Sequence, residues 1–406
     1  MIKQLTESYI PESIAGPVLL DQNWMPRYWA AVWSTMFAGQ LANSTHKKKL
    51  YFIDGLYRHA DDLYGLGALD DCLANLDDVR IAECLESWFI SISNKTNRTD
   101  SDEARWQAGL EFVTSVVSWI AKSGADGRLR NIEKRLHRLS LLYKQLHIAK
   151  PRSVEGIRSL PATVVDALYD LLDPESASNP FPRLRTRWRM YVAFILMLHL
   201  GLRRGEILLL PADVVKSSFD INSNRNRNWI NVSANSYETS ASDPRSSRPS
   251  IKTKDSIRQI PVSDVTARVV EEYAMNFRGK PAHSYLLNSQ SDRPLSSEAL
   301  TKAFVVISQS LPSEVLNDLR NRTGKSSITP HDLRHTCAVW RLSQLLQHGD
   351  PMDEALQKMR SFFGWSRESS MPSRYAKSVF EDRLSSVWNN AFDDRVALLR
   401  ALPKGH

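Results

Sequence analysis

Cysteine is scarce in this sequence. Only three cysteines occur among its 406 residues, at Cys72, Cys84 and Cys337. Their spacing matches neither a disulfide framework nor a zinc-binding motif, which argues against a disulfide-rich or zinc-stapled fold. So few cysteines are typical of a protein in the reducing cytosol.

Long apolar segments are also missing. The longest apolar run, Met190–Leu198, is about half as long as a membrane-spanning helix, and it is flanked by Arg189 and His199. This run predicts a buried helix instead. Residues Met1–Tyr9 lack the apolar core of a signal peptide. We therefore expect a cytoplasmic protein without a membrane partner.

The balance of charge points to a polyanionic partner. The chain is 42% apolar and 24% charged, which is ordinary for a globular protein with a sizeable core, but its net charge is +8. Acidic and basic residues balance within residues 1–150, so the whole positive excess lies in residues 151–406. A basic protein of this kind is a candidate for binding nucleic acid.

The first part of the sequence has the periodicity of a helical bundle. Residues 1–23 predict an arm, and residues 24–148 predict a series of amphipathic helices. The last of these helices has an apolar face and a basic face with a single acid, Glu133. The basic residues are Arg128, Arg130, Lys134, Arg135, Arg138, Lys144, Lys150 and Arg152. We expect this face to contact phosphates, the alternative being an ordinary solvated face.

A linker and a second, mixed unit follow. The Pro-containing stretch 149–160 predicts a linker, residues 161–378 a second domain, and residues 379–406 an amphipathic helical tail. Most of the second domain has helical periodicity, whereas Trp229–Ser233 and Ile257–Val262 have the character of strands. The Ser- and Pro-rich stretch between these strands is interpreted as a long, mobile hairpin excursion. The expected fold class is mainly α with a small antiparallel β-sheet.

Three short motifs in the second domain gather residues suited to a phosphate group. The first motif, Gly201–Glu206, follows the predicted buried helix. Because a glycine ends that helix, Arg203 lies at a turn where its guanidinium can be presented rigidly. Glu206 can either orient an arginine or cap the next helix.

The second motif is His331–His335, at the start of a helix that opens with Pro330. His331 and Arg334 are three residues apart, so both can address one anion near the positive end of the helix dipole. His335 is interpreted as a supporting, structural residue.

The third motif is the pair Arg374 and Tyr375, which follows a polar stretch. A free tyrosine has a pKa of about 10, so it needs neighbouring cations or a base to act as a nucleophile. Arginines that hold a phosphate, an imidazole that moves a proton and a phenol that forms a covalent bond together suit attack on a phosphodiester. This set requires neither a metal nor another cofactor.

These motifs resemble those of a known family. The stretches GLRRGEILLL, KTKDSIRQIP, TPHDLRHTCAVW and FFGWSRESSMPSRY are similar in order and interval to the catalytic domain of the tyrosine recombinases, the phage integrase family, over about Leu160–Val379. The helical segment 24–148 is similar in position to the core-binding domain of that family. The resemblance implies a helical-bundle DNA-binding domain followed by an α+β catalytic domain.

The resemblance also implies a role for each motif residue. Arg203 and Arg334 would clamp the scissile phosphate, and His331 would donate to a phosphate oxygen or assist proton transfer. Trp365 occupies the position that holds His or Trp in the family. Tyr375 would attack the phosphorus and form a 3′-phosphotyrosine.

A hairpin lysine acts as general acid in that family. Lys252 and Lys254 both precede the predicted strand Ile257–Val262. The Lys-Thr-Lys pattern and its distance from the strand favour Lys252, which leaves Lys254 as a DNA contact.

The function implied is that of a site-specific DNA recombinase or integrase of a bacterial mobile genetic element, independent of metal and ATP. Its partners would be double-stranded recombination sites, further copies of the chain in a tetramer on DNA, and accessory DNA-bending or directionality factors. The tail 379–406 would pack on its own domain or in trans on a neighbouring protomer. The alternatives are a type IB topoisomerase-like enzyme, a telomere-resolving strand transferase, and a non-catalytic DNA-binding protein of the same fold.

Overall fold

The computed structural model divides the chain into two compact units, Met1–Val154 and Glu155–His406. Each unit has a large hydrophobic cluster of its own. The domain boundaries drawn from the sequence stay a prediction. The structure describes residues 1–5, 15–36, 41, 43–95, 99–121, 132, 134–138, 140–141, 159–221, 224–238, 243–245, 248–251, 253–376 and 379.

The first unit contains a helical bundle and a small two-stranded sheet. The elements are β1 (Ile2–Gln4), β2 (Pro17–Leu19), α1 (Tyr28–Met36), α2 (Asn43–Tyr64), α3 (Ala68–Ala74), α4 (Asp78–Ser93) and α5 (Asp100–Ala121). The two strands pair antiparallel within the segment that the sequence predicts to be an arm, and Leu19 is buried in the core of the unit. Strands this short carry too few residues for a period of two to be recognised in the sequence.

Large aromatic side chains fill the core of the first unit. Trp33 of α1, Tyr57 of α2 and Phe112 of α5 are fully buried, and the ring of Phe112 contacts the other two. The carboxylate of Asp70 in α3 accepts hydrogen bonds from the first two backbone N–H groups of α1 and so caps that helix. These contacts join four of the helices into one body.

The second unit is mainly helical and contains a three-stranded antiparallel sheet, which confirms the expected fold class. Its helices are α6 (Ala162–Leu172), α7 (Leu184–His199), α8 (Arg204–Ile207), α9 (Asp264–Glu272), α10 (Ser297–Gln309), α11 (Ser313–Thr323), α12 (Pro330–Gln347) and α13 (Met352–Phe363). Its strands, in spatial order, are β3 (Val215–Asp220), β4 (Arg225–Val232) and β5 (Arg258–Val262).

The apolar run of the sequence forms a buried helix, as predicted. Residues 192–198 of α7 all lie in the core, and α6, α9 and α12 pack against this helix. Among the helices that the structure describes, none is both long and apolar enough to cross a bilayer. Because α7 is held by several neighbours, its end fixes the position of the turn that carries Arg203.

Antiparallel pairing turns one apolar face of the sheet towards the helices. Ile230 of β4 lies opposite Ile260 of β5 and Val215 of β3, and both isoleucines are fully buried. The sequence predicts only β4 and β5. It misses β3 because that strand has no run of β-branched residues and its Phe219 is exposed.

Part of the connection between β4 and β5 is anchored, so the expectation of a wholly mobile excursion is wrong for residues 243–245. Asp243 and Arg245 are buried and form an ion pair. The Arg245 guanidinium also donates to the carbonyl oxygens of Leu208 at 3.0 Å and Leu295 at 3.2 Å. The planar, five-donor guanidinium can satisfy a carboxylate and two carbonyls at once.

The turn after α7 depends on a glycine. Gly201 has a φ of +59°, and a Cβ at this position would lie 2.3 Å from a ring carbon of Phe363. The missing side chain lets the end of α7 pack directly against α13. The turn that begins the first motif is therefore in contact with the last residue of α13, the helix that precedes the third motif.

We expect Gly201→Ala to destabilise the protein, because it combines an unfavourable backbone with a collision. Left-handed backbone costs about 1–2 kcal/mol for a non-glycine residue, and overpacking adds about 1–3 kcal/mol. Gly324→Ala is the matched control, since Gly324 has a φ of +69° but open space where its Cβ would lie. Urea unfolding should show the larger loss of stability for Gly201→Ala. Equal losses would contradict the collision.

Candidate active site

The centre of the site is the buried carboxylate of Glu206, which is 2% exposed. Arg203 is the N-cap of the short helix α8, and its backbone N–H donates to Oε2 of Glu206 at 2.9 Å. The Arg203 guanidinium pairs with Oε1 of the same carboxylate at 2.5 Å. Glu206 therefore both caps the helix and orients the arginine, the two alternatives that the sequence leaves open.

Two more arginines approach this carboxylate from other elements. Arg258 of β5 donates to both oxygens of Glu206, at 3.2 Å and 3.0 Å. Nη1 of Arg334, from α12, lies 3.9 Å from Oε2. Arg203, Arg258 and Arg334 thus surround one anion, and we call these three residues the arginine cluster. Their excess positive charge favours binding of a further anion. In the part of the chain that the structure describes, no group of three or more His, Cys, Asp or Glu side chains could hold a metal ion.

The charges in this cluster shift the pKa values of its members. Burial by itself would raise the pKa of the Glu206 carboxyl, but hydrogen bonds from Arg258 and the charges of the three arginines hold that pKa below its usual value. Burial lowers the pKa of Arg334 to about 9, and the charge of Arg203 adds to this effect. At neutral pH the carboxylate is therefore ionised and Arg334 stays cationic.

The same three arginines donate to three successive carbonyl oxygens at the C-terminal end of α13. The distances are 2.7 Å from Arg258 to Phe362, 2.8 Å from Arg334 to Phe363, and 3.3 Å from Arg203 to Gly364. Carbonyls at a helix end lack partners within the helix, so these donors satisfy them. Gly364 is required here, because its φ is +59° and a Cβ would lie 2.7 Å from the backbone oxygen of Asp255.

The start of α12 places the predicted histidine and arginine in different environments. A capping box fixes this end, because the carboxylate of Asp332 accepts hydrogen bonds from both the backbone N–H and the hydroxyl of Thr329. Arg334 points into the arginine cluster and is buried, whereas His331 is exposed. The ring of His331 packs edge-on against that of His335, with centroids 4.2 Å apart.

Tyr375 lies in an aromatic stack rather than at an open surface. Its ring stacks on Trp365 with centroids 5.3 Å apart, and Trp365 stacks on Phe363 at 4.8 Å. The hydroxyl of Tyr375 shares a hydrogen bond with Nδ1 of His335, and both residues are buried. His335, which the sequence suggests is only a supporting residue, therefore contacts the predicted nucleophile directly.

Comparison with known sequences assigns the family. The sequence profile described as "Phage integrase family" matches residues 160–382, more than half of the chain. The chain belongs to the phage integrase family. It is therefore a tyrosine-type site-specific DNA recombinase, and the resemblance carried by the motifs is confirmed.

Two solved recombinase structures are similar to this chain at low sequence identity. The crystal structure of XerA recombinase is 16% identical, covers 82% of this chain and 97% of its own, and gives a TM-score of 0.34. The structure of XerH site-specific recombinase bound to difH substrate is 15% identical, covers 86% of this chain and 83% of its own, and gives a TM-score of 0.42. A comparison with curated protein sequences finds no match. The family assignment rests on the sequence profile.

The lysine-bearing segment of the recombinase reaches the arginine cluster. Lys252 lies outside the described residues, and Lys254 is exposed at the start of a single helical turn, Lys254–Ser256. Ser256 is fully buried and its hydroxyl accepts a hydrogen bond from Arg203 at 2.9 Å. The segment between the two strands is therefore joined to the site through its serine.

The basic face predicted for the first unit of the recombinase is described only in part. Lys134 and Arg138 are exposed, whereas Arg135 lies 3.5 Å from the carboxylate of Asp78. Ile132, predicted to pack, is buried. The other basic residues of this face lie outside the described residues, and they are Arg128, Arg130, Lys144, Lys150 and Arg152.

Arg258 contacts Glu206 in the recombinase site, but it is not part of the three sequence motifs and is not predicted from them. It stands inside the stretch KTKDSIRQIP, where it reads as one more basic residue. The alternation of β5 contains the missing signal, because Arg258 shares a face with the buried Ile260 and Val262. A charged residue on the buried face of a strand needs an opposite charge nearby.

The lowered pKa of Glu206 leads to a pH-dependent prediction. Its carboxylate stabilises the fold fully above the usual value of 4.5 and loses this contribution as the pH falls through the lower folded-state pKa. Glu206→Gln should therefore cost about 3–5 kcal/mol at neutral pH, the scale for breaking a buried ion pair. The cost should shrink in acid.

Urea unfolding at a series of pH values measures this cost. Glu271→Gln, which neutralises an exposed acid on α9, is the control and should change stability little at any pH. A cost for Glu206→Gln that stays constant down to strongly acidic pH would contradict the ionised, paired state of Glu206.

Proposed function

We propose that this recombinase cleaves one DNA strand at a specific site through Tyr375 and rejoins it to a strand of a second site. The observation that carries the proposal is the connection between the arginine cluster around Glu206 and the aromatic stack that ends at Tyr375. Guanidinium groups hold phosphate oxygens, and a phenol can attack phosphorus. Both groups belong to one continuous set of contacts.

Arg203 and Arg334 are proposed to hold the scissile phosphate. Attack on phosphorus produces a pentacoordinate transition state with increased negative charge on its oxygens, and donors that are already in place stabilise that charge. Glu206 reduces the repulsion between the arginines but leaves the cluster positive. His331, exposed on the same helix end as Arg334, would donate to a phosphate oxygen or assist proton transfer.

The chemical step is a transesterification. The Tyr375 oxygen bonds to phosphorus while the bond from phosphorus to the 5′-oxygen breaks, which leaves a 3′-phosphotyrosine and a 5′-hydroxyl. In the DNA-bound state a histidine of the His331–His335 motif takes the phenolic proton, and a lysine supplies the proton that the 5′-oxygen gains. Because the phosphotyrosine keeps the energy of the phosphodiester, a second 5′-hydroxyl can reverse the step without ATP or a metal ion.

Burial of the nucleophile implies that DNA binding rearranges the stack. Tyr375 is 4% exposed, and its ring is covered by Trp365. A phosphorus atom cannot reach a phenolic oxygen in this position. We propose that the DNA-free protein holds Tyr375 in a resting position and that the bound duplex releases it.

The number of DNA strands exchanged between two duplexes determines the proposed number of protein copies in the complex. Four strands are cut and rejoined, so a homotetramer that supplies one Tyr375 for each strand fits the reaction. The first unit would hold the duplex through basic residues such as Lys134 and Arg138, and accessory DNA-bending or directionality factors would choose the outcome. Of the tail 379–406, only Val379 is described; it is buried in the same cluster as Tyr375, and packing in trans remains a proposal for the rest.

A nicked suicide substrate tests the nucleophile. On a cognate site, the wild-type protein should form a covalent adduct that survives denaturing electrophoresis. Tyr375→Phe should form none, because phenylalanine keeps the stack but lacks the oxygen. Tyr169→Phe is the matched control, since Tyr169 is a partly buried tyrosine whose hydroxyl also contacts a histidine, at 2.5 Å from Nε2 of His199.

Two outcomes would contradict this assignment. One is a wild-type protein that forms no adduct on a cognate site, and the other is an equal adduct with Tyr375→Phe. Relaxation of any supercoiled plasmid without site preference would instead favour the topoisomerase-like alternative.

A sulfur leaving group distinguishes the two lysines. A thiolate leaves without being protonated, so a substrate with a bridging 5′-sulfur does not need the general acid. Lys252→Ala should cleave the normal site slowly and the 5′-thio site at nearly the wild-type rate, whereas Lys254→Ala should treat both sites alike. The reverse pattern would assign the role to Lys254, and no rescue in either variant would exclude a lysine general acid.

A further inference from the structure

Arg258 uses its guanidinium entirely within the protein. Its side chain is 5% exposed. Nε donates to the carbonyl oxygen of Phe362 at 2.7 Å, and Nη1 donates to that of Ser256 at 2.7 Å. Nη1 and Nη2 also donate to the two oxygens of Glu206. Protein groups therefore occupy Nε, Nη1 and Nη2 of this side chain.

Arg258 controls the orientation of the Glu206 carboxylate. A bidentate contact fixes both the plane and the rotation of a carboxylate. Oε1 of Glu206 also pairs with the guanidinium of Arg203. Oε2 of Glu206 accepts a hydrogen bond from the backbone N–H of Arg203 and faces the guanidinium of Arg334. The position of the carboxylate therefore sets the positions of the two arginines proposed to bind phosphate.

Arg258 also holds the chain that leads to the nucleophile. Its hydrogen bond to Phe362 fixes the last turn of α13. The next residue, Phe363, supports Trp365, which in turn covers Tyr375. One side chain thus touches both the anchor of the phosphate-binding arginines and the segment on which the tyrosine rests.

We infer that Arg258 is a positioning residue for strand cleavage, which keeps the arginine pair and the tyrosine-bearing segment aligned with each other. This role rests on the proposed function of Tyr375, Arg203 and Arg334. Arg258 acts through Glu206 and through the end of α13, and it does not contact the reacting phosphate.

Lysine is the decisive substitution, because it keeps the positive charge of Arg258 and removes the planar hydrogen-bond geometry of the guanidinium. Arg258→Lys keeps a cation next to Glu206, but one ammonium group cannot donate in a fixed plane to both carboxylate oxygens and to the carbonyl of Phe362. A residue that only balanced the charge of Glu206 would be replaced well by lysine. A positioning residue would not.

Single-turnover cleavage of the nicked suicide site, at saturating DNA, separates the chemical step from binding. Arg258→Lys should stay folded and bind the site with a Kd within about threefold, but should cleave about 10- to 100-fold more slowly, since small misplacements of reacting groups cost up to that much. Arg258→Met should be at least as slow. Arg322→Met, which removes an exposed arginine paired with Asp318 on α11, is the control and should match wild type.

Two further measurements show whether Arg258 acts through Glu206. The charged groups that face this carboxylate are Arg203 before α8, Arg258 on β5 and Arg334 on α12. Because Arg258 lowers the pKa of Glu206, its loss should raise that pKa and move the acidic limb of the pH–rate profile for cleavage to higher pH. The limb should move in Arg258→Met and not in Arg322→Met. Cleavage by the double variant Arg258→Lys, Glu206→Gln should be less impaired than the product of the single effects.

The outcomes separate this role from the proposed function. If wild type shows no Tyr375-dependent adduct, the proposed function itself is wrong. If wild type cleaves and Arg258→Lys cleaves at the same rate, only the role of Arg258 is overturned. A loss of cleavage in Arg258→Lys that is matched by lost DNA affinity and a lowered melting temperature would also overturn it. If Arg258→Met does not fold, the lysine variant decides alone.

Discussion

Three guanidinium groups that lie close together repel one another, and an anion between them offsets this repulsion. In this recombinase the anion is Glu206, and both of its oxygens are taken by arginines. Burying such a cluster is tolerated only when its charges are paired and hydrogen-bonded in good geometry. The turn after α7, the start of β5 and the start of α12 therefore meet at Glu206.

The same contacts also join the arginines proposed to bind phosphate to the proposed nucleophile. The arginines hold the end of α13 by its carbonyl oxygens, and that end supports the stack of Phe363, Trp365 and Tyr375. The arginine cluster is held by ion pairs to the buried carboxylate of Glu206. The tyrosine part is held by stacking and one hydrogen bond to His335, which are contacts that bound DNA can replace. Under the proposed function, this difference between ion pairs and stacking would confine cleavage to bound DNA.

Much of the fold and of the candidate site can be predicted from short stretches of sequence, because the relevant signals are local. Residues a few positions apart are enough to recognise the helical periodicity of α7, the glycine after it, and the capping residues before Arg334. Other features depend on distant partners. The strand β3 exists through pairing with β4, and Arg245 is anchored by carbonyls far along the chain, so neither has a strong local signal.

The sequence by itself determines the family and suggests the proposed chemistry, since the order and spacing of Arg203, the His331–His335 motif and Tyr375 are properties of the linear chain. Only the tertiary structure decides which groups touch. It makes Arg258 a partner of Glu206 and places His335 against the tyrosine hydroxyl. The physical reason is that an ion pair or a stack between residues far apart in sequence forms only when packing brings their elements together, and local periodicity does not encode that distance.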